Sequence, residues 1–308
     1  GRGREALRGS ALGSGGAILA AVVLGVPITL AMERLAPLLV RHIGLVLGAI
    51  AAVMIATERT LRAKVGGLAA FVASGGLGMA TLDLEPTGVI PGGDMLLPLL
   101  SGLFGIPILV VAATGAGVPP QEGTALATNP LSLGLWTLAG GLSGAVVAYV
   151  PGVSAAVAAA MAFVALPGHA GDRGFVVAVS GVNTANTVFA LFALVALGAP
   201  RTGVLVAFER AKLPPNLPLL LVSILLSAAV AIALVPTIGD RYLETVGRMD
   251  NTALSIGVGA LLVCLAGAFT GLVGIVVLGA AALIGAIPVL ADSRRVHLMG
   301  VLFLPLAL

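Results

Sequence analysis

The chain has 308 residues, of which 59% are hydrophobic and only 9% are Asp, Glu, Lys or Arg. Soluble domains carry about 25% charged residues, so this composition cannot clothe a water-facing surface. It reads as an all-α, polytopic transmembrane helix bundle, a single integral membrane domain over residues 1–308. The formal net charge of +3 is small and sits in short basic clusters that orient membrane proteins; a nucleic-acid partner and soluble catalysis are excluded.

Crossing a hydrocarbon core of roughly 30 Å takes about 20 apolar residues. In chain order, stretches free of Asp, Glu, Lys and Arg predict helices near 11–32, 43–56, 65–82, 95–114, 129–150, 151–166, 174–198, 215–236, 252–269, 271–290 and from 296 onward. Several are too short for a full crossing, so the expectation is about nine or ten passages with broken or re-entrant helices. Gly44 with Gly48, Gly140 with Gly144, and Gly267 with Gly271 have the small-xxx-small spacing of close helix contact in lipid. The basic clusters Arg2, Arg4 and Arg8, then Arg59, Arg62 and Lys64, then Arg201, Arg210 and Lys212 assign their loops to the cytoplasm. The acidic segment 83–94, with Asp83, Glu85 and Asp94, then falls outside. No Lys or Arg lies between Lys64 and Arg173, so charge leaves the middle of the chain unoriented. The chain opens at Gly1 with neither an initiator Met nor a secretory cleavage pattern, and reads as lacking its natural N-terminus. The lone Cys264 offers no disulfide framework.

Two features carry chemistry. At Pro151-Gly152 proline removes a backbone donor and glycine permits a dihedral reversal, so a break is expected after residue 150. A helix from there to about Leu166 is roughly 24 Å long, too short to cross, which places its N-terminus within the membrane. Free amides and the positive dipole end favour an anion there, as in the broken helices of secondary carriers; the alternative is a plain proline kink. The second feature is a polar stripe in the apolar run from Phe175 to Leu197. Ser180, Asn183, Thr184 and Thr187 share one helical face, with Asn186 beside it. Such a stripe either hydrogen-bonds neighbouring helices or lines a hydrated substrate path.

Long apolar runs contain no ionisable residue, which disfavours a proton relay. Neutral oxygens of Asn, Thr, Ser and opened backbone suit Na⁺ as the candidate coupling ion; no cofactor is expected. Pro91-Gly92-Gly93-Asp94 and Pro119-Pro120-Gln121-Glu122 read as turns. His42, His169 and His297 are too dispersed for a metal site and read as surface residues. Arg294 and Arg295 read as a cytoplasmic anchor, or as an inward-facing gate.

Several segments together resemble the large permease subunit of the tripartite tricarboxylate transporter family, its archaeal branch in particular. They are Gly75-Gly76-Leu77-Gly78-Met79-Ala80-Thr81-Leu82-Asp83, Leu100-Ser101-Gly102-Leu103-Phe104-Gly105-Ile106, Pro151-Gly152, Val179 to Thr187, Gly198-Ala199-Pro200-Arg201-Thr202-Gly203, and Arg294-Arg295-Val296-His297-Leu298-Met299-Gly300. The resemblance covers most of the chain from about residue 65. It implies a multi-pass carrier in a prokaryotic cell membrane for di- or tricarboxylates, driven by a cation gradient. In bacterial systems it also implies a small membrane subunit and an extracytoplasmic binding protein; archaeal members often lack the latter. The family's other Pro-Gly motif has no counterpart before residue 91, so that half of the site is expected to be missing.

The expected partners are thus a small organic anion, the lipid bilayer and those two subunits, with a homo-oligomer left open. The Pro151-Gly152 peptide and Ser154 are the candidates for a substrate carboxylate. Ser180, Asn183, Thr184, Asn186 and Thr187 are the candidates for substrate or coupling ion. Two other functions are weighed against the carrier: a non-transporting scaffold subunit, whose stripe is consumed by helix contacts, and an intramembrane serine protease using Ser74 or Ser154. The protease needs a base within hydrogen-bond reach, and none is expected at membrane depth.

Overall fold

The computed structural model describes residues 1–115, 121, 128–150, 152–165, 171–246 and 249–308. Among these the chain is helical, without a strand. In order come α1 (Gly3–Arg41), α2 (Ile43–Ala56), α3 (Leu61–Thr81), α4 (Leu96–Leu100), a π-helical turn (Ser101–Gly105), α5 (Ile106–Ala113), α6 (Pro130–Tyr149), α7 (Ala155–Ala165), α8 (Gly171–Leu197) and α9 (Gly203–Arg210). They are followed by α10 (Leu217–Val246), α11 (Asn251–Gly285), α12 (Ile287–Ala291), a 3₁₀ turn (Arg295–Met299) and α13 (Gly300–Ala307).

Seven helical stretches among the described residues are long and apolar enough to cross a membrane, and two shorter apolar ones, Ile43–Ala56 and Arg295–Ala307, accompany them. The all-α membrane bundle is therefore as expected. Among the seven, α11 and α12 together form a single 41-residue stretch, Asn251–Ala291. At 1.5 Å per residue that is about 60 Å, twice the hydrocarbon thickness. Gly271 divides it, with φ 71° and ψ −163°, a conformation essentially reserved for glycine. The sequence gap between the runs 252–269 and 271–290 falls at this kink. Elsewhere the helices outrun their apolar cores because charged ends pair with one another. Arg4 at the start of α1 meets Asp240 at 3.4 Å and Glu244 at 2.8 Å on α10, while buried Glu5 is held by Arg2 and Arg173, each at 2.6 Å.

The chain divides into two compact units, Gly1–His42 with Pro120–Val246, and Ile43–Pro119 with Gly247–Leu308. In the first, α1, α6 and α8 meet over glycines. A Cβ on Gly13 would stand 2.5 Å from the Val177 carbonyl oxygen, one on Gly140 would strike the Ala178 carbonyl, and one on Gly144 would stand 2.8 Å from the Val182 carbonyl and the Asn186 amide. Backbones this close gain dispersion contacts that longer side chains would prevent. Below the glycines, Ala17, Ala21, Ala145, Ala148, Phe189 and Phe192 form the core. Tyr149 closes it with its hydroxyl 2.6 Å from that of Thr29.

In the second unit α3 and α13 approach in the same way, Gly78 against Val301 and Gly300 against Phe71, with the Phe71 and Phe303 rings edge-on at 6.0 Å. Pro107 has no amide to give the Leu103 carbonyl four residues back, and the chain there widens into the π turn that packs on α11 through Gly102. Residues 87–93 dock at the Gly271 kink. The Ile90 amide donates to the Ala268 carbonyl at 3.0 Å, and Thr87 Oγ1 reaches the Thr270 carbonyl at 3.5 Å. The small-residue pairs expected from spacing are thus unequal: Gly140 and Gly144 are both contact points, Gly44 meets the Ala307 carbonyl, Gly48 faces open space, and Gly271 is a kink.

This inequality makes a test. Gly140→Leu forces α6 off α8 and is expected to cost about 1–3 kcal/mol by overpacking, read as a lower melting temperature in detergent. Gly48→Leu has nothing within 4 Å to strike and should leave melting unchanged.

Candidate functional site

The break after α6 lies where proline and glycine place it. The Val150 amide still reaches the Val146 carbonyl at 2.9 Å, and Gly152 then turns to φ +80°, where a side chain would be strained. Pro151 itself lies outside the described residues. α7 resumes at Ala155 and has 11 residues, about 16 Å. It is shorter than expected because Gly152, Val153 and Ser154 stay unwound. Ser154 caps it: its Oγ accepts from the Val157 amide at 3.3 Å, and its carbonyl accepts from the Ala158 amide at 3.0 Å. The amides of Ala155 and Ala156 precede the first intrahelical bond, so they and the positive dipole end are the anion-binding resource of this helix.

On α8 the polar stripe divides. Ser180 Oγ pairs with Ser10 Oγ of α1 at 2.8 Å, and its carbonyl accepts from Thr184 Oγ1 at 2.5 Å and Ser14 Oγ at 3.4 Å. Thr187 Oγ1 turns back to the Asn183 carbonyl at 3.4 Å. The Ser180, Thr184 and Thr187 hydroxyls are therefore engaged in helix contact or in their own helix's backbone. Thr184 and Thr187 also border a cavity of about 510 Å³ among α1, α8, α9 and α10, whose other walls include Leu191, Phe208, Leu220 and Ile224. The Thr184, Thr187 and Ser223 hydroxyls on its wall donate to backbone carbonyls of their own helices, and apart from Thr202 and Ser227 the rest of the lining is apolar.

The two carboxamides differ from the hydroxyls. Asn183 is exposed. Asn186 lies about 120° round the helix from Ser180 at 100° per residue, with its backbone against Gly144 of α6. Its Oδ1 is fully buried and has no hydrogen-bond partner. An unpaired buried acceptor costs about 1–3 kcal/mol, and native proteins seldom keep one without a ligand, ion or water to meet it. A carboxamide can accept from a hydroxyl, coordinate a cation, or donate to a carboxylate, which are the demands of a hydroxycarboxylate and its counter-ion.

The second unit contains a charged cluster that sequence reasoning did not assemble. Glu58, in the turn between α2 and α3, accepts three hydrogen bonds on Oε1: from the Arg294 amide at 3.0 Å, Arg294 Nε at 2.9 Å and His297 Nε2 at 2.7 Å. Arg294 Nη2 also donates to the Met54 carbonyl at 2.7 Å and Thr57 Oγ1 at 2.6 Å. His297 is 1% exposed, which corrects its reading as a surface residue; Gly67 of α3 leaves room for the ring by having no side chain. Burial alone would push the Glu58 carboxyl up, but the bonds from Arg294 and His297 outweigh it and hold it below the ordinary carboxylate value. Burial pushes the His297 imidazole below its ordinary value, against the pull of Glu58. The available signal was the spacing of Arg294 and His297, which puts both on one side of a helical turn; nothing in sequence pointed to Glu58. Of the other histidines, His42 is exposed and His169 lies outside the described residues.

Among the described residues, no nucleophile and base are paired in the way a serine protease needs. Ser74 is buried with its hydroxyl on the Phe71 carbonyl at 3.2 Å, Ser154 caps α7, and His297 Nε2 is taken by Glu58.

A family model described as the Tripartite tricarboxylate transporter TctA family matches residues 1–300. No curated protein and no solved structure matches the chain.

Proposed function

The chain belongs to the tripartite tricarboxylate transporter TctA family, and from that premise we propose that it is a secondary-active carrier of small organic anions, di- or tricarboxylates, coupled to a cation gradient. Membership makes it a multi-pass membrane component of a tricarboxylate transporter, and not an enzyme. The observation that supports the finer reading is the buried, partnerless carboxamide oxygen of Asn186, on the helix against which α6 packs before its break at Gly152. In this reading the first amides of α7, with the Pro151-Gly152 peptide and Ser154 beside them, hold a substrate carboxylate. Asn186 meets the substrate's polar group or a coupling Na⁺, and exposed Asn183 extends the contact. Ser180 ties α8 to α1 through Ser10, while Thr184 and Thr187, bonded to their own helix's carbonyls, present oxygens along the same face. A small membrane subunit and an extracytoplasmic binding protein complete the system in this proposal.

Uptake of labelled citrate and succinate into proteoliposomes, with and without an inward Na⁺ gradient, tests it. Saturable uptake of either acid, faster with the gradient, is the expected result. No uptake under any gradient, with the tripartite partners supplied, points instead to a scaffold subunit, a role that the Ser180 to Ser10 bond would also suit.

A further inference from the structure

We infer that His297 Nδ1 is a proton-binding site at the cytoplasmic face, and that its occupation unlatches the 295–299 turn from the turn between α2 and α3. Glu58 Oε1 is an acceptor for two Arg294 donors and for His297 Nε2, so the imidazole must carry its hydrogen on Nε2, and Nδ1 keeps a lone pair. That Nδ1 is buried and has no hydrogen-bond partner. With neutral His297 the latch is one cation against one anion. A proton on Nδ1 adds a second buried positive charge and a donor with no acceptor, a combination that low-dielectric surroundings penalise.

The charged groups around the ring limit what else can respond. α2 and the π turn bring no titratable residue, and the turn before α3 brings Glu58 and Arg59. α3 brings Arg62, bound to the Leu290 carbonyl at 2.6 Å, and Lys64. The segment of His297 brings Asp292, Arg294 and Arg295. The basic flank Arg59, Arg62 and Lys64 assigns this face to the cytoplasm, so the site reads cytoplasmic acidity. The inference concerns the second unit alone and does not depend on the carrier reading, because the test below uses no transport.

Spin labels on Arg59→Cys and Arg295→Cys, with the exposed Cys264 replaced by Ser, report the latch in the full chain in liposomes. The expected result is one short distance at pH 7.5 and a longer population that grows several-fold by pH 5. His297→Gln, which keeps a donor for Glu58 but cannot take the proton, should stay short throughout. A distance that ignores pH, or a Gln variant that opens as the parent does, overturns the inference. Should the Gln variant not fold, nitrogen resonances of His297 in the otherwise unchanged protein decide. A titration step coinciding with the opening supports the site, and opening without that step overturns it.

Discussion

Asn186→Ala is expected to remove uptake while leaving the protein folded and no less stable. A buried polar side chain usually strands its partner when truncated, at about 1–3 kcal/mol. Here Oδ1 has no partner, so truncation strands nothing and relieves a desolvation cost. That gain offsets the small cavity left behind, a loss of about 1 kcal/mol per buried methylene-sized gap. Transport behaves in the opposite way, because a hydrogen bond to a charged ligand contributes about 1.5–3 kcal/mol, roughly 10- to 100-fold in affinity. The check is a pair of measurements on one preparation, a melting temperature in detergent and an uptake rate in liposomes. A fall in both assigns Asn186 to helix packing. Asn183→Ala, at an exposed position, is expected to lower uptake with melting unchanged.

Glu58→Ala has the largest expected effect on stability. It leaves the Arg294 guanidinium and the buried His297 ring without their shared acceptor. Breaking a buried pair from one side costs about 3–5 kcal/mol, and the lower end applies because Arg294 reaches solvent, with its side chain 34% exposed. Glu58→Gln, which still accepts, should lose less. The pH dependence has a definite sign. Both groups have folded values below their ordinary ones, so the unfolded chain takes up protons first and stability falls as pH falls. The His297 contribution is full above about pH 6.5 and the Glu58 contribution above about pH 4.5; each is lost as pH drops through the folded value. Melting temperature against pH should therefore decline in two stages on acidification, and Glu58→Ala should lack the lower one. A profile with both stages in the Ala variant would assign the acid transition to other carboxylates.

The helices were legible because lipid leaves a one-dimensional record: apolar runs bounded by charge give the spans, and Pro-Gly gives the break before α7. Gly140 and Gly144 were legible as a contact pair, but the same spacing at Gly44 and Gly48 gave one contact and one empty face, because spacing does not say which side of a helix meets a neighbour. The stripe on α8 was visible as a pattern. Its division into engaged hydroxyls and an orphaned carboxamide was not, since that depends on Ser10 lying 170 residues away. The Glu58 cluster was hidden for the same reason: Glu58 stands more than 230 residues from Arg294 and His297, and each alone looks like an ordinary loop charge. Helix ends were underestimated where ion pairs such as Arg4 with Asp240 and Glu244 continue a helix past its apolar core.

A structure determined with citrate bound tests the central claim most directly. The carrier reading predicts a citrate carboxylate within hydrogen-bond distance of the Ala155 and Ala156 amides, with the Asn186 carboxamide on the ligand or on a cation beside it. Citrate bound elsewhere, with Asn186 bonded to a neighbouring helix, would contradict it.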